Sequence, residues 1–240
     1  MSTRPIHRLT PLLLTVVLGF SSISQAQSRI LFSCRIPTNL PQWQMLVDVF
    51  SEAFGALGYD FEMHYLNGRR ENYELKNSDK YDGTCIRLKS FSAVADEYNM
   101  VVVNSPVGDP YTSVWKNRKI GEPEDPSSLF IKDANVGYLR GNGVAESYLK
   151  DYGPINTISF LRPDLGIKTL VLGRIDYWVG YSHTAEHLAE HMNFYGSIEK
   201  IADVRQDYFY PVISKRYLDI KPQLEHELTR IMGARAGLIR

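Results

Sequence analysis

Three groups of residues in this 240-residue chain have types and spacings that could do chemistry. The first is Gly141-Asn142-Gly143. The apolar run Val136–Leu139 precedes it and a helical pattern follows, so two glycines permit close backbone approach where a helix begins. Free amides at such a point hold a carboxylate or phosphate. A plain strand-to-helix turn that needs glycine for its backbone angles uses the same residues. The second is Arg87, which follows the short apolar run Asp82–Ile86. At the end of a parallel strand a guanidinium can clamp an anionic group through two parallel hydrogen bonds; a structural ion pair is the other use of such an arginine. The third is the cluster His183, Glu186, His187, Glu190 and His191. Spacing of four places His183 and His187 on adjacent turns, where two imidazoles could ligate zinc. The order is not the His-Glu-x-x-His of a metalloprotease, and a solvated helix face with local Glu–His pairs is the expected reading. No metal or other cofactor is expected. Neither a Gly-x-Ser-x-Gly elbow nor a Gly-Lys-Ser/Thr phosphate loop is present, so no catalytic residue is assigned and the chain is not expected to be an enzyme.

The N-terminus places this chemistry outside the cytoplasm. Arg4, His7 and Arg8 form a basic head, Leu9–Phe20 is apolar, and small and polar residues lead to Ala26. That layout predicts a secretory signal peptide over residues 1–26 and a periplasmic mature chain. The apolar part is too short to span a bilayer. Leu31-Phe32-Ser33-Cys34 looks like a lipoprotein cleavage box, but Cys34 lies well past the apolar part with Arg29 between, so lipidation is not expected. In an oxidising compartment the only two cysteines, Cys34 and Cys85, could form a disulfide. Both sit in short apolar, strand-like segments, and two buried free thiols stay equally open. The 27 basic and 27 acidic residues balance, and loss of Arg4 and Arg8 leaves the mature chain slightly acidic. A nucleic-acid partner, which needs a strongly basic face, is not expected.

The elements that must position these residues follow from periodicity. Ile30–Arg35 reads as a buried strand. Leu46, Val49, Phe50, Ala53, Phe54 and Leu57 recur at helical spacing up to Gly58, with Asn39 and Gln42 as a capping box. Phe61–Tyr65 alternates as a strand, Arg69–Asn77 is a polar helix, and Asp82–Ile86 and Met100–Asn104 are short strands. The order repeats: strand Val136–Leu139, a helix from Gly143 to Tyr152, strand Ile155–Phe160, helix Pro163–Leu172, strand Ile175–Gly180, helix Ser182–Met192 and a last helix Pro222–Met232. Residues 104–113 and 121–128 read as loops. Strands alternating with helices predict an α/β fold with mostly parallel sheets.

Several of these segments, in this order, resemble the extracytoplasmic solute-binding proteins of the polar amino-acid type (solute-binding family 3). The helix ending in Leu57-Gly58-Tyr59 and the strand after it are similar to that family's opening. Arg70, Tyr81-Asp82-Gly83 and Arg87, Asn104-Ser105-Pro106, Val136-Gly137-Tyr138-Leu139-Arg140-Gly141, Leu172-Gly173-Arg174-Ile175-Asp176 and Ser214-Lys215 match further parts of the pattern. The resemblance implies a two-lobe, type II periplasmic-binding-protein-like fold in which each lobe is a mostly parallel sheet flanked by helices, with two crossing strands. Lobe one would comprise residues 27–110 and 203–240, and lobe two residues 111–202. It also implies a monomer that captures a small polar solute, amino-acid-like or modified, aromatic or anionic, between the lobes. The solute would be passed to the membrane permease of an ABC-type importer; a membrane sensor receptor is the alternative partner, and a periplasmic enzyme on the same fold the alternative class.

Two departures narrow the ligand. The family's carboxylate-clamping arginine falls here near Val94, and its amine-holding aspartate is replaced by Tyr181, which cannot counter an ammonium charge as a carboxylate does. A standard α-amino acid is therefore not the expected solute. Trp43 and Tyr111 lie where loops could flank the cleft and stack on a ligand.

Overall fold

The computed structural model describes residues 28–235 except 124, 126, 127, 153, 154 and 195; the expected signal peptide, 1–26, lies outside the described residues. Two five-stranded sheets organise the chain. Sheet one contains β1 (Arg29–Cys34), β2 (Asp60–Tyr65), β3 (Gly83–Leu88), β4 (Met100–Val102) and β10 (Phe209–Ser214), in the order β2-β1-β3-β10-β4. Sheet two contains β5 (Tyr111–Asn117), β6 (Asn135–Leu139), β7 (Asn156–Phe160), β8 (Tyr177–Tyr181) and β9 (Ile198–Gln206), in the order β7-β6-β8-β5-β9. In each sheet all strands but one run the same way. The reversed strand, β10 in one and β5 in the other, pairs antiparallel with both neighbours. The expected two-lobe, mostly parallel α/β architecture is present.

Helices α1 (Pro41–Ala56) and α2 (Gly68–Asn77) make the crossovers of sheet one; α3 (Gly143–Lys150), α4 (Pro163–Val171) and α5 (Ser182–His191) follow the parallel strands of sheet two. The last helix, α6 (Lys221–Arg235), packs beside α1. Leu46, Val49, Phe50, Ala53 and Phe54 form the buried stripe of α1, as three- and four-residue spacing dictates. Its phenylalanines meet Phe32 of β1 and Phe61 of β2, with ring centroids from 5.3 to 5.4 Å apart for Phe32–Phe50 and Phe54–Phe61. The capping box expected from Asn39 and Gln42 does not form. Leu40 is the N-cap and makes no side-chain cap bond; Pro41 in the first turn sets the helical φ instead.

Sequence periodicity did not disclose β5, β9 and β10. The expected loop 104–113 ends in β5, and β9 continues in sheet two to Gln206. Residues 203–206, expected in lobe one, therefore pair with β5, Asp203 opposite Ser113. The chain passes between the sheets twice, and the two passages form a ribbon. Val107 N donates to Phe209 O (2.8 Å), Phe209 N to Gly108 O (2.8 Å) and Asp207 N to Pro110 O (3.1 Å). Cys34 and Cys85 form a disulfide across neighbouring β1 and β3, with Cα atoms 5.1 Å apart and both residues fully buried. The Cys34 sulfur is thus committed to Cys85. No helix among the described residues is long and apolar enough to cross a membrane.

Candidate interlobe ligand site

The carboxyl ends of β1 and β3 are tied together by a buried ionic network. Glu71, in the first turn of α2, is fully buried. It meets Arg87 Nη1 at 2.7 Å and Arg35 Nη2 at 2.8 Å, and accepts from Thr84 Oγ1 at 2.7 Å and Ser33 Oγ at 3.2 Å. Burial alone would raise the Glu71 pKa, but the charges of Arg87 and Arg35, with the bonds from Thr84 and Arg35, hold it below the usual carboxylate value. Burial lowers Arg87 to about 10, with Glu71 opposing the shift; it stays charged at neutral pH. The network therefore holds two guanidinium charges against one carboxylate.

Arg87, the arginine singled out from sequence, is 7% exposed. Beyond Glu71 it donates to Ile86 O (3.0 Å) and Asn72 Oδ1 (3.2 Å) and lies 5.4 Å from the Phe91 ring centroid. Its fork is filled within lobe one. Arg35, one residue past β1, has a side chain 32% exposed and is close enough for its charge to act on the Tyr181 hydroxyl of sheet two. Sequence reading passed over Arg35, although it follows an apolar strand just as Arg87 does.

On the other side, Tyr181 ends β8 and meets Phe209 of the crossing ribbon edge-on at 5.3 Å. Burial pushes its pKa up to about 12; Asp207 adds to the rise while Arg35 and Arg205 oppose it. The phenol stays neutral and can donate. His183 stacks on the same ring at 6.1 Å. Burial pushes its pKa down against the pull of Glu186, so its imidazole is neutral at pH 7. His187 instead stacks on His191, with centroids 5.8 Å apart. Among the described residues no group of three or more His, Cys, Asp or Glu could hold a metal ion.

Gly141 has φ +82, the left-handed conformation that glycine adopts without strain. Asn142, 6% exposed, caps α3 by accepting from Ala145 N at 3.2 Å. Gly141 N donates to Glu146 Oε1 at 3.1 Å, so α3 supplies a carboxylate to its own entry turn. A Cβ at Gly143 would meet nothing within 4 Å, so close packing does not require glycine there. Trp43 packs against the core of sheet one, whereas Tyr111 is 44% exposed at the start of β5.

Two residues without a sequence signal, Arg205 and Asp207, lie close enough to Tyr181 for their charges to act on it. Arg205, near the end of β9, donates through Nε to Asp207 Oδ1 at 2.9 Å. Asp207 lies in the returning passage and is 6% exposed. With Leu88, Lys89, Arg205, Tyr208 and Tyr210 it borders a cavity of about 230 Å³.

No protein-family model and no curated protein sequence matches the chain. Solved structures do. The arginine-bound form of ArgBP from T. maritima superposes with a TM-score of 0.64 at 14% identity, covering 85% of this chain and 96% of that one. A histidine kinase sensor domain with similarity to periplasmic binding proteins gives 0.68 at 14% identity, covering 88% and 93%. The amino acid ABC transporter substrate-binding protein AbpA from Streptococcus pneumoniae, bound to L-arginine, gives 0.64 at 10% identity, covering 87% and 90%. The chain has the two-lobe fold of these proteins.

Proposed function

We propose that this chain is an exported binding protein that closes its two lobes on a small polar solute and performs no chemistry on it. Lobe one would span residues 27–110 and 207–240, and lobe two 111–206. The observation that carries the reading is the paired two-stranded ribbon that joins the two sheets. A two-stranded passage lets the sheets hinge about a few residues, and ligands collect beyond the carboxyl ends of parallel strands. Arg35, Tyr181 and Arg205 supply hydrogen-bond donors there, and Arg35 brings the excess positive charge of its network to the cleft.

The closed form would be read by a membrane partner. An ABC-type permease is the proposed one, in keeping with AbpA being the substrate-binding protein of an amino acid ABC transporter. A sensor receptor is the second reading, favoured by the superposition on the histidine kinase sensor domain. The test is mass spectrometry of what co-purifies from the native source, followed by thermal denaturation and small-angle scattering with that solute. Binding without turnover should raise the melting temperature and reduce the radius of gyration. A product peak would move the chain to the enzymes, and an unchanged melting temperature and scattering curve with every released solute would refute a binding role.

A further inference from the structure

The cleft end of sheet two leaves two polar atoms without partners. Thr112 is fully buried, and its Oγ1 has no hydrogen-bond partner among the described residues. In the sheet it lies opposite Tyr181 of β8 on one side and Arg205 of β9 on the other. Asp207 is placed beside this rung by its N–H bond to Pro110 O. Its Oδ1 is held by Arg205, but Oδ2 is buried and accepts no hydrogen bond from the described residues. Proteins rarely leave a buried carboxylate oxygen unpaired, because desolvation of the charge goes uncompensated.

We propose that Asp207, with Thr112 on the neighbouring rung, forms a cation-seeking subsite at the floor of the interlobe cleft, taking the terminal ammonium or amidinium group of a small solute. This rests on the solute-binding reading above and names the chemistry of one end of the solute. An ammonium or amidinium carries several N–H donors and no acceptor, so it can satisfy the orphaned Asp207 oxygen and keep donors for further acceptors such as the Thr112 hydroxyl. Arg205 pairs with Oδ1 alone, and its side chain is 52% exposed, so Oδ2 keeps its acceptor capacity for a second cation. Lys89, the other cation bordering the cavity, directs its ammonium to Asn104 Oδ1 and over the Tyr210 ring at 5.0 Å. Tyr208, 50% exposed, also borders the cavity.

The experiment titrates the full mature chain with agmatine, L-arginine and putrescine, and with succinate and D-glucose as anionic and neutral controls. At least one cationic probe should raise the melting temperature. Calorimetry on Asp207→Asn should then show its Kd weakened by roughly tenfold or more, with the unliganded melting temperature little changed. Thr112→Val should weaken the same probe less, and it carries the test if Asp207→Asn does not fold. Equal affinity in these variants overturns the subsite. A lowered melting temperature of Asp207→Asn with unchanged Kd also overturns it, making Asp207 only the structural partner of Arg205. If succinate or glucose binds and no cationic probe does, the solute-binding reading stands and this subsite falls. If no probe and no co-purified solute binds, both fall.

Discussion

The two sheets share a strand order and a single reversed strand, yet they secure their cleft ends by different physics. Sheet one uses a covalent bond and charge. The Cys34–Cys85 disulfide joins β1 to β3, and Glu71 locks Arg35 and Arg87 directly above it. Sheet two uses apolar close packing. Trp178 of β8 lies against Gly166 of α4 and Gly180, where side chains would collide with its indole, and near Gly137 of β6, where one would collide with Ile175. Ile167, Leu170, Ile175 and Leu188 complete that core. One topology therefore does not prescribe how its functional edge is made rigid. Ionic and covalent ties hold a charged group such as Arg35 in place, whereas the neutral Tyr181 at the end of β8 is held by packing against Phe209 and the core of sheet one.

This contrast can be broken at either lobe. The largest effect is expected from Glu71→Gln, which leaves two guanidinium groups without their carboxylate; loss of one partner of a buried ion pair costs about 3–5 kcal/mol, measurable by urea unfolding. The wild type should show the matching acid sensitivity. Because the folded pKa of Glu71 is lowered from 4.5, its contribution is complete above that pH and fades as pH falls through the lowered value. An unfolding curve for Glu71→Gln that overlays the wild type would remove charge from the account of lobe one.

Replacing both cysteines by alanine opens a link spanning 51 residues and should cost about 2–4 kcal/mol. Solute affinity should fall as well, since Arg35 directly follows Cys34; a stability loss with intact affinity would separate the bridge from the cleft. In lobe two, Gly166→Ala drives a methyl into the Trp178 ring, and overpacking of this kind costs about 1–3 kcal/mol. Hydrogen exchange should localise the damage to β6, β8 and α4, and exchange spread equally over both sheets would deny the lobes their separate cores.

The smallest effect concerns His183. Its folded pKa is lowered from 6.5 by burial, so the stability tied to its neutral form is complete above that pH and declines as pH falls below it. His183→Gln should flatten the stability curve below pH 6.5 without altering the plateau at neutral pH. A variant curve parallel to the wild type throughout would show that the stack on Tyr181 leaves the imidazole free to protonate.

The parallel strands and their helices were legible because each carries its own period. The alternation of β2 and the stripe of α1 stand in the sequence wherever they are packed. The reversed strands and β9 were not, for reasons that differ. β10 contains Pro211, ordinarily a strand breaker, and the register slips between Tyr210 and Val212, where proline is tolerated. β5 carries Lys116 and Asn117, polar residues that are buried because Glu199 and the Leu170 carbonyl receive them. β9 is largely exposed and shows no clean alternation. The site was legible only in part. Arg87, Gly141, Asn142, Gly143 and Tyr181 all lie at strand ends or a helix entry, as their positions after apolar runs predict. That Arg87 is buried in an ion pair was invisible, because that depends on Glu71 from a different element.

The sequence alone determined the alternation of strands and helices, the hydrophobic faces that bury them, and through its opening residues the expectation of export. These are properties of neighbouring residues and their periodicity. The tertiary structure decided the rest: that Cys34 meets Cys85, that Glu71 gathers both Arg35 and Arg87, and that Asp207 meets Pro110 with one carboxylate oxygen left unpaired. Each depends on groups far apart in the chain brought within hydrogen-bond range, where charge and desolvation act over a few ångströms and sequence spacing no longer measures distance.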